Sequence, residues 1–256
     1  MARWHSSYHS LLPFTLLIPL LAGCAIKTPY LNISDWPVER RAMYYQNPAP
    51  VRIGVLPLID RRPAREQEGQ RPGGVFLLLW NRRAGDYYTS DRVFGGQVAE
   101  RLTDQLIAYL TASHAFAQVI RLPVSADDAA RASRDDLSRW GREQVVDFIV
   151  GGDLDHFFGS QTQHASMYLL PLYFVSAFGW QDAKSLPWGK TSIRFTAWDG
   201  KSGDVYWRQL LEADRTLPKD TDPMSEAALE SFTQLAGQLV EQLRPLQAEP
   251  GSPAAQ

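Results

Sequence analysis

The chain has 256 residues, 45% of them apolar and 11% aromatic, with a formal net charge of -2. That apolar content suffices for a packed core and excludes a disordered chain, and the near-neutral balance excludes a general nucleic-acid binder, which would be strongly basic. The sequence holds a single cysteine, which excludes an internal disulfide and leaves stability to the core.

Arg3 gives the chain a positive start, an uncharged apolar run follows over 11–21, and then come Leu21, Ala22, Gly23 and Cys24. A positive start, an apolar stretch of this length and small residues at the cut form an export signal, and the stretch is too short to span a bilayer. An ordinary cleaved signal with a chance cysteine is the plain alternative. The placement of the only cysteine directly after Leu21, Ala22 and Gly23 favours something more specific. The quartet resembles the lipobox of bacterial lipoproteins. That resemblance implies cleavage before Cys24, a diacylglyceryl group on its thiol and acylation of the new amino terminus. The covalent lipid at Cys24 is then the only prosthetic group expected, with no cofactor and no metal. One acyl chain gives only marginal attachment, with an association constant on the order of 10⁴ M⁻¹, so several chains on one cysteine make a stable anchor. Ala25 stands where an aspartate would retain a lipoprotein in the inner membrane. By the same resemblance, the protein is expected on the outer membrane, facing the periplasm.

The expected organisation is a signal peptide over 1–23, a lipidated tether over 24–50, a domain over 51–245 and a flexible tail over 246–256. Pro29, Pro37, Pro48 and Pro50 interrupt the tether, while Tyr30, Trp36, Tyr44 and Tyr45 suggest that part of it packs on the domain. Residues 51–59 alternate and then become continuously apolar, as a buried strand does. The stretch 60–75 reads as loop and 75–80 as a short strand. A helix is expected over 91–113, because Phe94, Val98, Leu102, Leu106 and Leu110 recur every four residues and Ala99 and Ile107 widen the stripe. A strand follows at 116–122. A second helix is expected over 134–144, with Ser133 as N-cap and Asp135 and Asp136 near its positive end. Residues 145–150 read as a strand closed by Gly151 and Gly152. Segments 190–198 and 204–213 form a hairpin across Asp199, Gly200, Lys201, Ser202 and Gly203. The last helix starts at Asp222 and Pro223, with Leu229, Phe232, Ala236, Leu239 and Leu243 on one face. This succession predicts an α/β sandwich, a mixed sheet packed by helices.

Four stretches carry a further resemblance: 55–58 (Val-Leu-Pro-Leu), 102–110 leading into 116–120, 147–153 (Asp-Phe-Ile-Val-Gly-Gly-Asp), and 197–207 with its Ser-Gly turn. Their order resembles a group of envelope proteins. The group includes the curli-pore lipoprotein, the amino-terminal domain of the Tol-system periplasmic protein, and lipoprotein activators of penicillin-binding proteins. The resemblance covers about residues 50–245 and implies an α/β fold, an envelope compartment and a task in assembly or assistance. None of the matching residues is catalytic.

Residues 167–180 carry no charge and interrupt a simple strand-to-strand connection. An apolar insertion over 165–181 is too short and too broken by Pro171 and Gly179 for a straight membrane span. Two readings stand: a lid over an open end of the core, or an exposed surface for a partner or the lipid interface. For the second, Tyr168, Leu169, Leu172, Tyr173, Phe174, Phe178 and Trp180 are the candidate contact residues. Asp153, Asp155, His156 and His164 are the residues from which a metal or acid/base set could be drawn. Strand alternation puts Asp153 and Asp155 on one face and His156 on the other, which favours plain polar edges. No serine lies in a nucleophile elbow, and the glycine pairs do not fit a phosphate loop. Arg61, Arg62, Arg65, Arg71, Arg82 and Arg83 fall on two early loops, where acidic headgroups or a glycan could be met, but Glu66, Glu68 and Asp86 dilute that patch. The expectation is a non-enzymatic, lipid-anchored envelope protein with a protein partner or self-association. The alternative is a carrier of a lipid or small apolar ligand.

Overall fold

The computed structural model describes residues 31–69, 75–77, 80–82, 85–163, 186–218 and 224–244. The architecture is α/β: a seven-stranded mixed sheet with helices on both faces. The path through the sheet runs β6 (Phe116–Arg121), β1 (Ala49–Val55), β7 (Phe148–Gln163), β8 (Trp188–Asp199) and β9 (Val205–Thr216). β1 is parallel to both β6 and β7, while β7, β8 and β9 are antiparallel in turn. One side of β7 is served by three partners in succession. These are β1, then β2 (Ile59–Asp60), then β5 (Gly85–Tyr88). A separate two-stranded hairpin joins β3 (Val75–Leu77) to β4 (Trp80–Arg82).

Two long helices cover one face. Helix α2 (Val98–Ser113) presents the expected stripe, and Val98, Leu102, Leu106 and Leu110 are all buried with Phe94 beside them. It begins at Val98 rather than near Asp91, because Gly95, Gly96 and Gln97 all have positive φ and hold a turn that no helix can enter. It ends at His114, which takes a left-handed conformation at the C-cap. Helix α5 (Met224–Leu243) buries Leu229, Phe232, Ala236, Leu239 and Leu243 as the spacing requires, and also Leu235 and Val240. The wider burial has a cause in the amino-terminal segment. The stretch read as tether packs on the body from Leu31 onward, with Ile33, Trp36 and Val38 in the core. The Trp36 indole donates to the Thr233 hydroxyl at 3.1 Å, and Leu31 N–H donates to the Val93 carbonyl at 3.0 Å.

The other face is covered at one end by α3 (Ala126–Arg131) and α4 (Arg134–Glu143), under which Leu56, Leu122, Leu137, Val146 and Ile149 form a smaller core. Ser133 caps α4 as expected and makes a full capping box with Asp136. The Ser133 hydroxyl and N–H hold the Asp136 carboxyl below the usual carboxylate range. Two short helices interrupt stretches with no helical period: α3, capped by Ser125, and α1 (Ala64–Glu68) inside the expected loop.

The strand expected over 145–150 starts later and runs much further. Val145 has φ 54°, a turn conformation, and β7 continues from Phe148 through Gly151 and Gly152 to Gln163. These glycines do not end the strand. A Cβ at Gly152 would sit 2.8 Å from Ile193 Cγ2, so they answer crowding rather than a turn. Among the described residues no helix is long and apolar enough to cross a membrane.

Candidate functional site

Cys24, the lipobox residues Leu21, Ala22 and Gly23, and the apolar insertion with Tyr168, Leu169, Leu172, Tyr173, Phe174, Phe178 and Trp180 all lie outside the described residues, as does His164. The acid/base candidates Asp153, Asp155 and His156 are within β7 and belong to a polar face built from several elements.

The register between β7 and β8 shifts between Leu154 and His156, so Asp155 is the extra residue of a β-bulge. The bulge overturns the simple alternation. Leu154 and Phe157, three apart, both reach the core, so Asp155 and His156 lie together on the opposite face. His156 therefore shares its face with the aspartates. Each of these groups has its own partner there. Asp153 accepts from Arg61 Nε at 3.5 Å, and Asp155 from Arg194 Nη2 at 3.0 Å. His156 Nδ1 lies 2.8 Å from Glu66 Oε1, and Phe157 N–H donates to Glu66 Oε2 at 3.4 Å. The Glu66 side chain is wholly buried, whereas the His156 side chain is 35% exposed.

Arg62 anchors this face from below. Its side chain is fully buried between two carboxylates. Nε and Nη2 donate to Asp60 at 3.0 and 2.6 Å, and Nη1 and Nη2 donate to Asp91 at 2.9 Å each. Burial works against the charge, but the hydrogen bonds and charges of Asp60 and Asp91 outweigh it and hold the guanidinium above its ordinary pKa. Gln67 closes the same loop by donating from Nε2 to the Arg62 carbonyl at 2.8 Å. The three described early arginines thus do not form one basic patch. Arg62 is internal, Arg61 is paired with Asp153, and Arg65 sits over the Tyr88 ring. The side chains of Arg71, Arg82 and Arg83 lie outside the described residues.

His156 and Glu66 supply a base and the carboxylate that orients it, which is part of a hydrolytic triad. Among the described residues no free nucleophile stands beside them. Ser192 faces His156 across the strands, yet it is buried and its hydroxyl bonds Glu212. Among the described residues, no group of three or more His, Cys, Asp and Glu side chains converges as a metal site. Chemically this face can present paired charges to a protein surface, and its pairs fix α1 and the β2 loop onto β7. Sequence reasoning placed Arg62 and Glu66 on a solvated loop and missed their burial, which depends on partners 29 and 90 residues away.

No family model and no curated protein sequence matches this chain. Among solved structures, the protein XCC0632 from Xanthomonas campestris is 13% identical with a TM-score of 0.47, over 81% of this chain and 92% of that one. The PelC dodecamer from Paraburkholderia phytofirmans is 14% identical with a TM-score of 0.36, over 81% and 95%. The lipoprotein GNA1162 from Neisseria meningitidis is 11% identical with a TM-score of 0.36, over 77% and 99%. Likenesses at these levels say nothing of what this chain binds.

Proposed function

We propose that this chain is a lipid-anchored protein of the bacterial outer membrane, facing the periplasm and serving as an accessory or assembly subunit of a transport, secretion or cell-wall complex. The observation that carries the reading is the Leu21, Ala22, Gly23, Cys24 quartet, with the only cysteine of the chain at the cleavage point of an export signal. Acyl chains at Cys24 give the membrane attachment. A working contact with a protein partner, or with a second copy, is assigned to the apolar run 165–181. The paired charges of the β7 face fit a structural role, since Asp153, Glu66 and Asp155 are each matched by a base.

The test is Cys24→Ser. The unsubstituted protein should be found in the outer-membrane fraction and label with a fatty-acid probe. The variant should lose the label and leave that fraction. A variant that still labels and is still cut before residue 24 would rule the anchor out.

A further inference from the structure

Strand β9 ends the sheet. It pairs with β8 on one side and with no described strand on the other. Leu217 N–H donates to the Pro187 carbonyl at 2.9 Å, one step beyond the Trp188 and Thr216 pair of the register. Hydrogen-bonded and non-bonded pairs alternate along an antiparallel ladder. The odd-numbered residues of β9 from Trp207 onward therefore bond β8, and Arg208, Leu210, Glu212 and Asp214 turn their N–H and C=O groups to the open edge. Their side chains lie on the face opposite the buried Leu211 and Ala213. Leu210 is 45% exposed there.

Proteins usually blunt a long open edge with proline, a bulge or charged side chains. In β9 the only irregularity is a bulge at the Val205 end, and the strand contains no proline. Its charges are self-complementary about one residue: Arg208 stands two before Leu210 and Glu212 two after it. We propose that β9 pairs antiparallel with β9 of a second copy about a two-fold axis at Leu210, joining two sheets into one. Leu210 then meets its counterpart, and each Arg208 lies opposite Glu212 of the other copy, a favourable cross-strand pair. An in-register parallel pairing would instead set Arg208 against Arg208 and Glu212 against Glu212, which like-charge repulsion disfavours. Between Trp207 and Ala213 the antiparallel register adds roughly six backbone hydrogen bonds, two for each bonded pair. Glu212 is already charged for this role. A hydrogen bond from Lys190, 3.1 Å away, holds its carboxyl below the usual range.

The test uses cells producing the full chain with Leu210→Cys. Across a hydrogen-bonded antiparallel pair the Cα atoms are about 5.5 Å apart, within the range a disulfide spans. Mild oxidation should give a disulfide dimer of the chain on a non-reducing gel. Arg215→Cys, also exposed but off the axis, should give none, and neither should the unsubstituted chain with Cys24 alone. Adding Arg208→Glu or Glu212→Arg to Leu210→Cys should strongly reduce the dimer. Producing those two variants together should restore it, because each then presents the charges the other lacks. No dimer at residue 210, an equal dimer at residue 215, indifference to the charge reversals, or a disulfide to a different protein would each overturn the proposal.

Discussion

Arg62 is the residue on which the polar face depends. Its four hydrogen bonds to Asp60 and Asp91 tie the loop after β2 to the turn before α2. Removing one partner of a buried ion pair is costly because the other charges stay behind. Arg62→Met is expected to cost about 3 kcal/mol, toward the lower end for such losses because both carboxylates are partly exposed. Arg62→Lys should not recover it, since an ammonium cannot engage two carboxylates with a planar fork. Urea denaturation of the two variants measures this, and an unchanged midpoint for Arg62→Met would show that the clamp contributes nothing. Little of the clamp was legible in the sequence. Arg62 stands among Arg61 and Arg65 in a stretch rich in proline and glycine, where composition suggests a solvated loop. Its burial is decided by Asp91, which only the folded chain brings near. The same holds for His156, whose face was misread because one extra residue in a strand leaves no mark on the pattern of apolar residues.

At the scale of elements, the helices were the readable part. The stripes of α2 and α5 match the buried residues because a 3.6-residue period and one apolar face are local properties of the sequence. How closely α5 approaches the sheet was not readable. Gly159 of β7 and Gly189 of β8 are directly paired in the register, and both lie beneath the start of α5. A Cβ at Gly159 would overlap the Met224 carbonyl, and one at Gly189 the backbone of Ala227 and Ala228. Backbone, unlike a side-chain tip, cannot move aside cheaply. Gly159→Ala and Gly189→Ala are each expected to destabilise the protein by about 3 kcal/mol, the upper part of the range for overpacking. Thermal melting checks this: a melting temperature within a degree of the unsubstituted protein would mean that α5 shifts without penalty. Strand ends were also hard to read. Gly151 and Gly152 signal a turn by composition, yet lie mid-strand because Leu56 and Ile193 crowd them.

At the scale of the whole molecule, the sheet, its helices and residues 31–48 form one body, and residues 1–24 and the apolar run 165–181 carry the proposed function. Those two segments are legible through composition alone, which tells what they dislike but not what they touch. The run yields opposite outcomes for its two readings. As a contact surface, it should accept Phe174→Asp or Phe178→Asp with folding changed by no more than about 0.5 kcal/mol, while association is lost. As a lid on the core, the same changes bury an unpaired charge, costing several kcal/mol by order of magnitude, and the protein unfolds. Thermal melting of these two variants separates the cases, and a large fall would remove the contact assignment.

The central claim is that this body hangs from a lipid at Cys24, and mass spectrometry of the mature amino-terminal peptide tests it most directly. The account predicts a peptide that begins at Cys24 and carries the mass of a diacylglyceryl group with an acylated amine. A peptide that retains residues 1–23, or a mature chain with an unmodified Cys24 thiol, would contradict it.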